Sequence, residues 1–145
     1  MKRFGSILVI SVMVLVIGYV QAQDQPKAAP APRVTGEWTG IWGPYSPAPA
    51  ATLEKDKCKR LDCKVVEKDG VWMATFEGEC GRTYKYTIKM EGRQAGSTVL
   101  FKGTTDLGEK DGGVFDWVGR ATDQEFVGFY TSAHYTGVFQ MNRAK

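Results

Sequence analysis

The chain has 145 residues and carries 19 Lys and Arg against 16 Asp and Glu, a formal charge of +3 at neutral pH. That length leaves room for one domain and little else. Lys2 and Arg3 fall in a segment that reads as removable, so the rest carries 17 − 16 = +1 and holds no basic tract suited to nucleic acid or an anionic membrane surface.

The N-terminus has the pattern of an export signal. Lys2 and Arg3 form a basic start, and residues 7–20 are apolar apart from Ser11 and Gly18. Val20-Gln21-Ala22 then offers a cleavage site before Gln23. The apolar run is about 14 residues, short of the roughly 20 that a bilayer span needs. The expectation is a cleaved signal over 1–22, export to the periplasm or the extracellular space, and no stable membrane span after cleavage. Residues 23–33 are rich in Gln, Pro and Ala and read as a disordered spacer.

From Val34 onward the pattern is β, and the domain is expected over 34–145. Eight strands are predicted: 34–42, 61–68, 71–78, 83–91, 97–105, 113–122, 125–132 and 135–143. The fourth alternates most clearly, with Tyr84, Tyr86, Ile88 and Met90 on one face and Thr83, Lys85, Thr87 and Lys89 on the other. Asp69-Gly70 is a two-residue hairpin turn of the type that needs positive φ. Residues 92–96 read as another turn, and 107–112 as a loop. Connections this short join antiparallel neighbours. The exception is the connection 43–60, which opens Gly43-Pro44-Tyr45-Ser46-Pro47-Ala48-Pro49 and suits a lid or binding loop.

No helix of useful length is predicted in the mature part. The fold class is therefore all-β: one antiparallel eight-stranded up-and-down barrel, a meander whose first strand closes on the eighth and so removes the sheet edges.

Strand parity places aromatic and small residues on one face. Trp38 and Trp42 share it with Gly36 and Gly40. Trp72, Phe76, Phe101, Phe115, Trp117, Phe126, Tyr130, Tyr135 and Phe139 occupy it on later strands, interleaved with Gly103, Gly119, Gly128 and Gly137. Either a filled core or an aromatic-lined cavity fits this pattern, since an eight-stranded barrel is about the size at which both occur. Arg143 lies on the same face at the end of the last strand. Closure brings it beside Gly36 and Trp38, where a guanidinium over an indole contributes about 0.5–2 kcal/mol.

Gly36-Glu37-Trp38 on the first strand, the long connection after it, the run of short-turn strands and Arg143 on the last strand resemble the calycins: lipocalins, fatty-acid-binding proteins and avidins. The resemblance spans the mature domain in pattern, and Gly36, Trp38 and Arg143 match residue by residue. It implies a barrel that takes a small apolar or amphipathic ligand at its open end. Thr39-Gly40-Ile41 stands where acidic and aromatic residues usually come after the lipocalin triplet, and the helix pair of the fatty-acid-binding branch is missing, so the branch stays open.

Three Cys allow one intramolecular bridge. The Asp69-Gly70 turn makes paired residues sum to 139, which sets Cys63 opposite Phe76 and residue 58 opposite 81. Cys58–Cys80 is the preferred disulfide and Cys58–Cys63 the local alternative. Cys63 is then an inert inward thiol. Three Cys and His134 are poorly spaced for zinc, and no metal or cofactor is expected. No catalytic motif is present. A barrel enzyme built on Asp116, Tyr130 and His134 finds no support in their spacing. Lys85, Lys89 and Lys102 form a modest outer basic stripe, read as a solvated face.

The function these residues point to is that of a secreted, non-enzymatic binding protein. Trp42, Trp72, Tyr86, Phe101, Trp117 and Tyr130 are its candidate ligand contacts, and residues 44–60 its cover. The alternatives are an extracellular interaction or inhibitor module with a filled barrel, and a small barrel enzyme.

Overall fold

Asp69 and Gly70 both take positive φ, 53° and 75°, the backbone a two-residue hairpin turn requires. The turn sets the register of the strands it joins: Lys68 pairs with Val71, Cys63 with Phe76 and Arg60 with Glu79. A computed structural model describes residues 30–44, 58–80 and 84–145, without the side chains of Lys59 and Tyr84. The expected signal over 1–22, most of the spacer and most of the Pro-rich cover lie outside the described residues.

Eight strands are present: β1 (Gly36–Pro44), β2 (Cys58–Lys68), β3 (Val71–Cys80), β4 (Tyr84–Ala95), β5 (Thr98–Asp106), β6 (Val114–Ala121), β7 (Glu125–Thr131) and β8 (Thr136–Arg143). Each pairs antiparallel with the next, and β1 pairs with β8, so the sheet is a closed up-and-down barrel. This is the closed eight-stranded barrel that the resemblance implied. Among the described residues the only helical element is a short 3-10 turn, Glu109–Asp111, between β5 and β6.

Several boundaries differ from expectation: β2 starts at Cys58 and not at Leu61, β3 runs on to Cys80 and not only to Gly78, and two others matter more. β4 does not stop at Glu91; it pairs with β5 as far as Ala95–Thr98 around a two-residue turn at Gly96-Ser97. The first strand begins at Gly36 and not at Val34. Val34 is instead fully buried, and its carbonyl accepts a hydrogen bond from the Trp38 indole at 3.0 Å. The chain thus folds across the barrel end before entering the sheet.

Because the strands alternate in direction, the barrel has two chemically different ends. One gathers the start of β1, the β2–β3, β4–β5 and β6–β7 turns and the end of β8. Arg143 seals it: the guanidinium lies 4.2 Å from the Trp38 ring, Nη1 donates to the Thr35 carbonyl and Nε to the Asp123 carbonyl at 3.4 Å. The other end gathers the end of β1, the start of β2, the end of β3, the start of β4, the β5–β6 loop and the β7–β8 turn.

The half next to the sealed end is solid. Phe126 is in ring contact with Phe101 at 4.8 Å, Phe76 at 5.3 Å, Phe139 at 5.5 Å and Trp38 at 5.9 Å. Ile88, Met90, Val65, Val99 and Met141 fill the space between, all buried. Edge-to-face and tilted pairs of this kind add about 0.5–1.5 kcal/mol each beyond the apolar area they bury.

Candidate functional site

The open end is built differently. A pocket of about 470 Å³ lies there, and its walls include Trp42, Tyr86, Phe115, Trp117, Tyr130 and Tyr135. That volume is within the usual range for small-molecule sites. Every strand that contributes does so near its mouth-side terminus, so alternation in strand direction, as well as side-chain parity, selects these residues.

The aromatic rings brace one another. Trp42 contacts Tyr86 at 5.7 Å, Tyr130 at 5.8 Å and Trp117 at 6.0 Å. Tyr130 stacks on Trp117 at 4.4 Å with 28° between the planes. Gly137 makes this stack possible: a Cβ there would run into the Tyr130 ring. Burial holds the Tyr130 phenol well above its ordinary value of 10.0, so it stays protonated through the neutral range.

Trp42 is 4% exposed and Trp117 1%. Among the described residues neither indole N–H has a hydrogen-bond partner, and both are shielded from solvent. Buried polar groups are normally paired, so two orphan donors in one wall are a marked departure.

Hydrogen bonds hold the β5–β6 side of the rim. Gly113 N–H donates to the Gly108 carbonyl at 2.8 Å and Leu107 N–H to the Gly113 carbonyl at 3.0 Å. The Gly108 N–H donates to the Asp106 carboxylate at 2.8 Å. These bonds hold the Glu109–Asp111 turn, placing Lys110 and Asp111 on the pocket rim with Leu107. Across from them, Cys58 and Cys80 also line the pocket and are joined by a disulfide with Cα atoms 4.7 Å apart. Cys63 is free and buried, and burial, helped by Glu37, raises its thiol above its ordinary value of 9.0.

No family model matches the chain, and no curated protein matches it. A crystal structure of a variant of the fluorescent protein UnaG is similar to it at a TM-score of 0.43 and 12% identity, covering 77% of this chain and 96% of that one. Identity this low concerns fold alone, and the site is read from this chain's own residues.

Of the six candidate ligand contacts, the structure brings Trp42, Tyr86, Trp117 and Tyr130 together around the pocket. Trp72 and Phe101 are placed elsewhere. Trp72 is the second residue of β3, paired with Gly92 toward the sealed end, and Phe101 belongs to the solid half against Phe126. Both point inward, as parity requires, but at the wrong height. Phe115 and Tyr135, put on the inward face by parity but not among the candidate contacts, line the pocket too, as do Leu107, Lys110 and Asp111 of the β5–β6 loop. Tyr135 was expected inside the barrel; it is 57% exposed at the rim, parallel to Phe115 at 6.5 Å. Phe115 and Leu107 were legible in principle, since an even strand starts, and an odd strand ends, at the mouth.

The enzyme constellation does not assemble. Asp116 is on the outer face, accepting from the Thr104 hydroxyl at 2.7 Å; His134 is exposed on the β7–β8 turn; Tyr130 is inside. Among the described residues no three His, Cys, Asp or Glu side chains group as metal ligands.

Proposed function

We propose that this is an exported, non-enzymatic binding protein that holds a small hydrophobic or aromatic molecule in the open half of its barrel. The observation that carries the reading is the contrast between the two halves. Rings pack on one another in both halves, but at the mouth they also line an open hollow of about 470 Å³. Burying a ligand against that wall stabilises the complex by about 25 cal/mol per Å² of apolar area removed from water. The cleavable signal expected over 1–22 supports an extracytoplasmic setting, in which a Cys58–Cys80 bridge persists.

Native mass spectrometry of the exported protein tests this, together with titration with the neutral probe N-phenyl-1-naphthylamine. A bound molecule of defined mass, or saturable probe binding, is expected. A clean apo mass with no probe binding would overturn it.

One observation favours a second reading, an interaction module. Leu100, Val118 and Phe129 point outward on β5, β6 and β7, exposed by 51, 36 and 52%, and line a shared shallow depression. Adjacent apolar groups of this size on an outer barrel face are a feature of contact surfaces. A Phe129→Ser variant with unchanged ligand affinity and unchanged self-association would remove the support for it.

A further inference from the structure

We infer that the mouth takes a small, neutral, planar aromatic molecule bearing carbonyl-type acceptors, which meet the indole N–H groups of Trp42 and Trp117, and that it excludes a long acyl chain. The inference deepens the binding reading above and rests on it.

Depth excludes the chain. The Trp117 ring forms part of the pocket wall and has Phe139 directly behind it at 6.2 Å, with Phe126 and Phe76 packed behind that. An acyl tail entering past Trp42 and Trp117 would have to displace side chains that are 2% exposed or less. Interiors packed this way yield little to an added methylene.

The wall selects aromatic rings. Trp42, Tyr86, Phe115, Trp117, Tyr130 and Tyr135 offer π-faces and edges on several sides of the space. A planar ring system meets these in offset or edge-to-face contact, which a flexible chain does not reproduce.

The polar groups select acceptors. An indole N–H can only donate. Trp42 and Trp117 lie 6.0 Å apart between ring centroids, and both of their donors are already out of water with no acceptor among the described residues. A ligand carbonyl that reaches them restores bonds whose desolvation the folded barrel has already incurred. Both N–H groups are shielded, so the proposal requires the mouth-side rings to shift while the rings behind Trp117 stay packed. Trp38 serves as the internal contrast, since its N–H is satisfied by Val34.

Among the described residues the rim does not select charge. Lys110 and Asp111 stand side by side on it, and their formal charges cancel.

The test is isothermal titration of the full exported protein with four probes: coumarin, naphthalene, 2-naphthoate and palmitate. Coumarin is expected to bind about tenfold or more tighter than naphthalene, the discrimination a buried unpaired donor produces. Trp42→Phe and Trp117→Phe should each shrink that gap, lowering coumarin affinity by more than they lower naphthalene affinity. Should either variant fail to fold, the infrared carbonyl stretch of coumarin bound to the unaltered protein serves instead. It should fall below its value in an apolar solvent. Equal affinity for coumarin and naphthalene, or an unshifted carbonyl stretch, overturns the acceptor match. Tighter binding of 2-naphthoate overturns neutrality. Tighter binding of palmitate overturns the exclusion of acyl chains and leaves the binding reading standing. No binding of any probe overturns both.

Discussion

The Arg143 guanidinium lies 4.2 Å from the Trp38 ring, joining the last residue of β8 to β1 across the seam of the barrel. The same side chain donates to carbonyls of Thr35 and Asp123, so one residue ties the leading segment, the first strand and the β6–β7 turn. Partial desolvation of the guanidinium is one cost of this arrangement. It lowers the group's affinity for a proton, though Arg143 remains charged throughout the neutral range.

Arg143→Ala should therefore destabilise the fold by about 2 kcal/mol, from the lost cation–π contact and the orphaned carbonyls. Arg143→Lys should recover only part of this, because an ammonium cannot both stack flat and fork. Urea midpoints for the three proteins, at unchanged slope, measure the difference.

Gly137→Ala should act on the pocket more than on the seam. The new methyl meets the Tyr130 ring and pushes it off Trp117. A cost of about 1–3 kcal/mol is expected for the overpacking. Probe affinity should fall with it, since the displaced ring occupies the ligand's space. Gly70→Ala, at the opposite end, should cost stability through its positive φ while leaving probe affinity unchanged.

Removing the bridge with Cys58→Ser and Cys80→Ser should cost about 2–4 kcal/mol. The bridged residues are 22 apart in sequence and both line the mouth, so probe affinity should drop as well. Thermal melts and probe titrations of the double variant, set beside the reduced parent protein, check both effects.

The two buried acids give the stability a definite pH dependence. Burial raises Cys63 above 9.0 and Tyr130 above 10.0 in the folded chain. Well below pH 9 both are protonated whether folded or unfolded, and their contribution is fully present. As pH rises further, the unfolded chain releases these protons first while the folded chain holds them, so stability falls. The unfolding midpoint should decline from about pH 9 to pH 11. Cys63→Ala should flatten the decline from about pH 9 upward, and Tyr130→Phe only its part above about pH 10.

Much of the architecture was legible from local rules. Asp69-Gly70 demanded a hairpin, the hairpin set a pairing sum of 139, and the β2–β3 ladder obeys it. Inward parity placed Trp38, Phe76, Trp117 and Met141 correctly, and Arg143 beside Trp38. Height along the barrel was the part not read. Parity tells which face a residue is on, and it puts Phe101 and Trp42 on the same one. Whether the two meet depends on strand direction and shear, which set Phe101 early in β5 toward the sealed end and Trp42 late in β1 toward the mouth. The same omission left the question of core or cavity undivided, when the barrel answers it differently in its two halves. The orphan indole donors had no signature in sequence, because satisfaction of an N–H depends on which acceptors the packing brings near. Trp38 and Trp117 look alike as inward tryptophans, yet only Trp38 has a carbonyl within reach.

On the proposed function, ligand occupies the open half and leaves the sealed half untouched. The chain has four Trp, two at each end: Trp42 and Trp117 at the mouth, Trp38 and Trp72 toward the seal. Their indole N–H signals in a ¹⁵N–¹H correlation spectrum, recorded during titration with N-phenyl-1-naphthylamine, report on the two halves separately. The Trp42 and Trp117 signals should move with saturable dependence on probe, while those of Trp38 and Trp72 stay in place. Movement of the Trp38 and Trp72 signals with Trp42 and Trp117 unchanged, or no movement at all, would contradict the account.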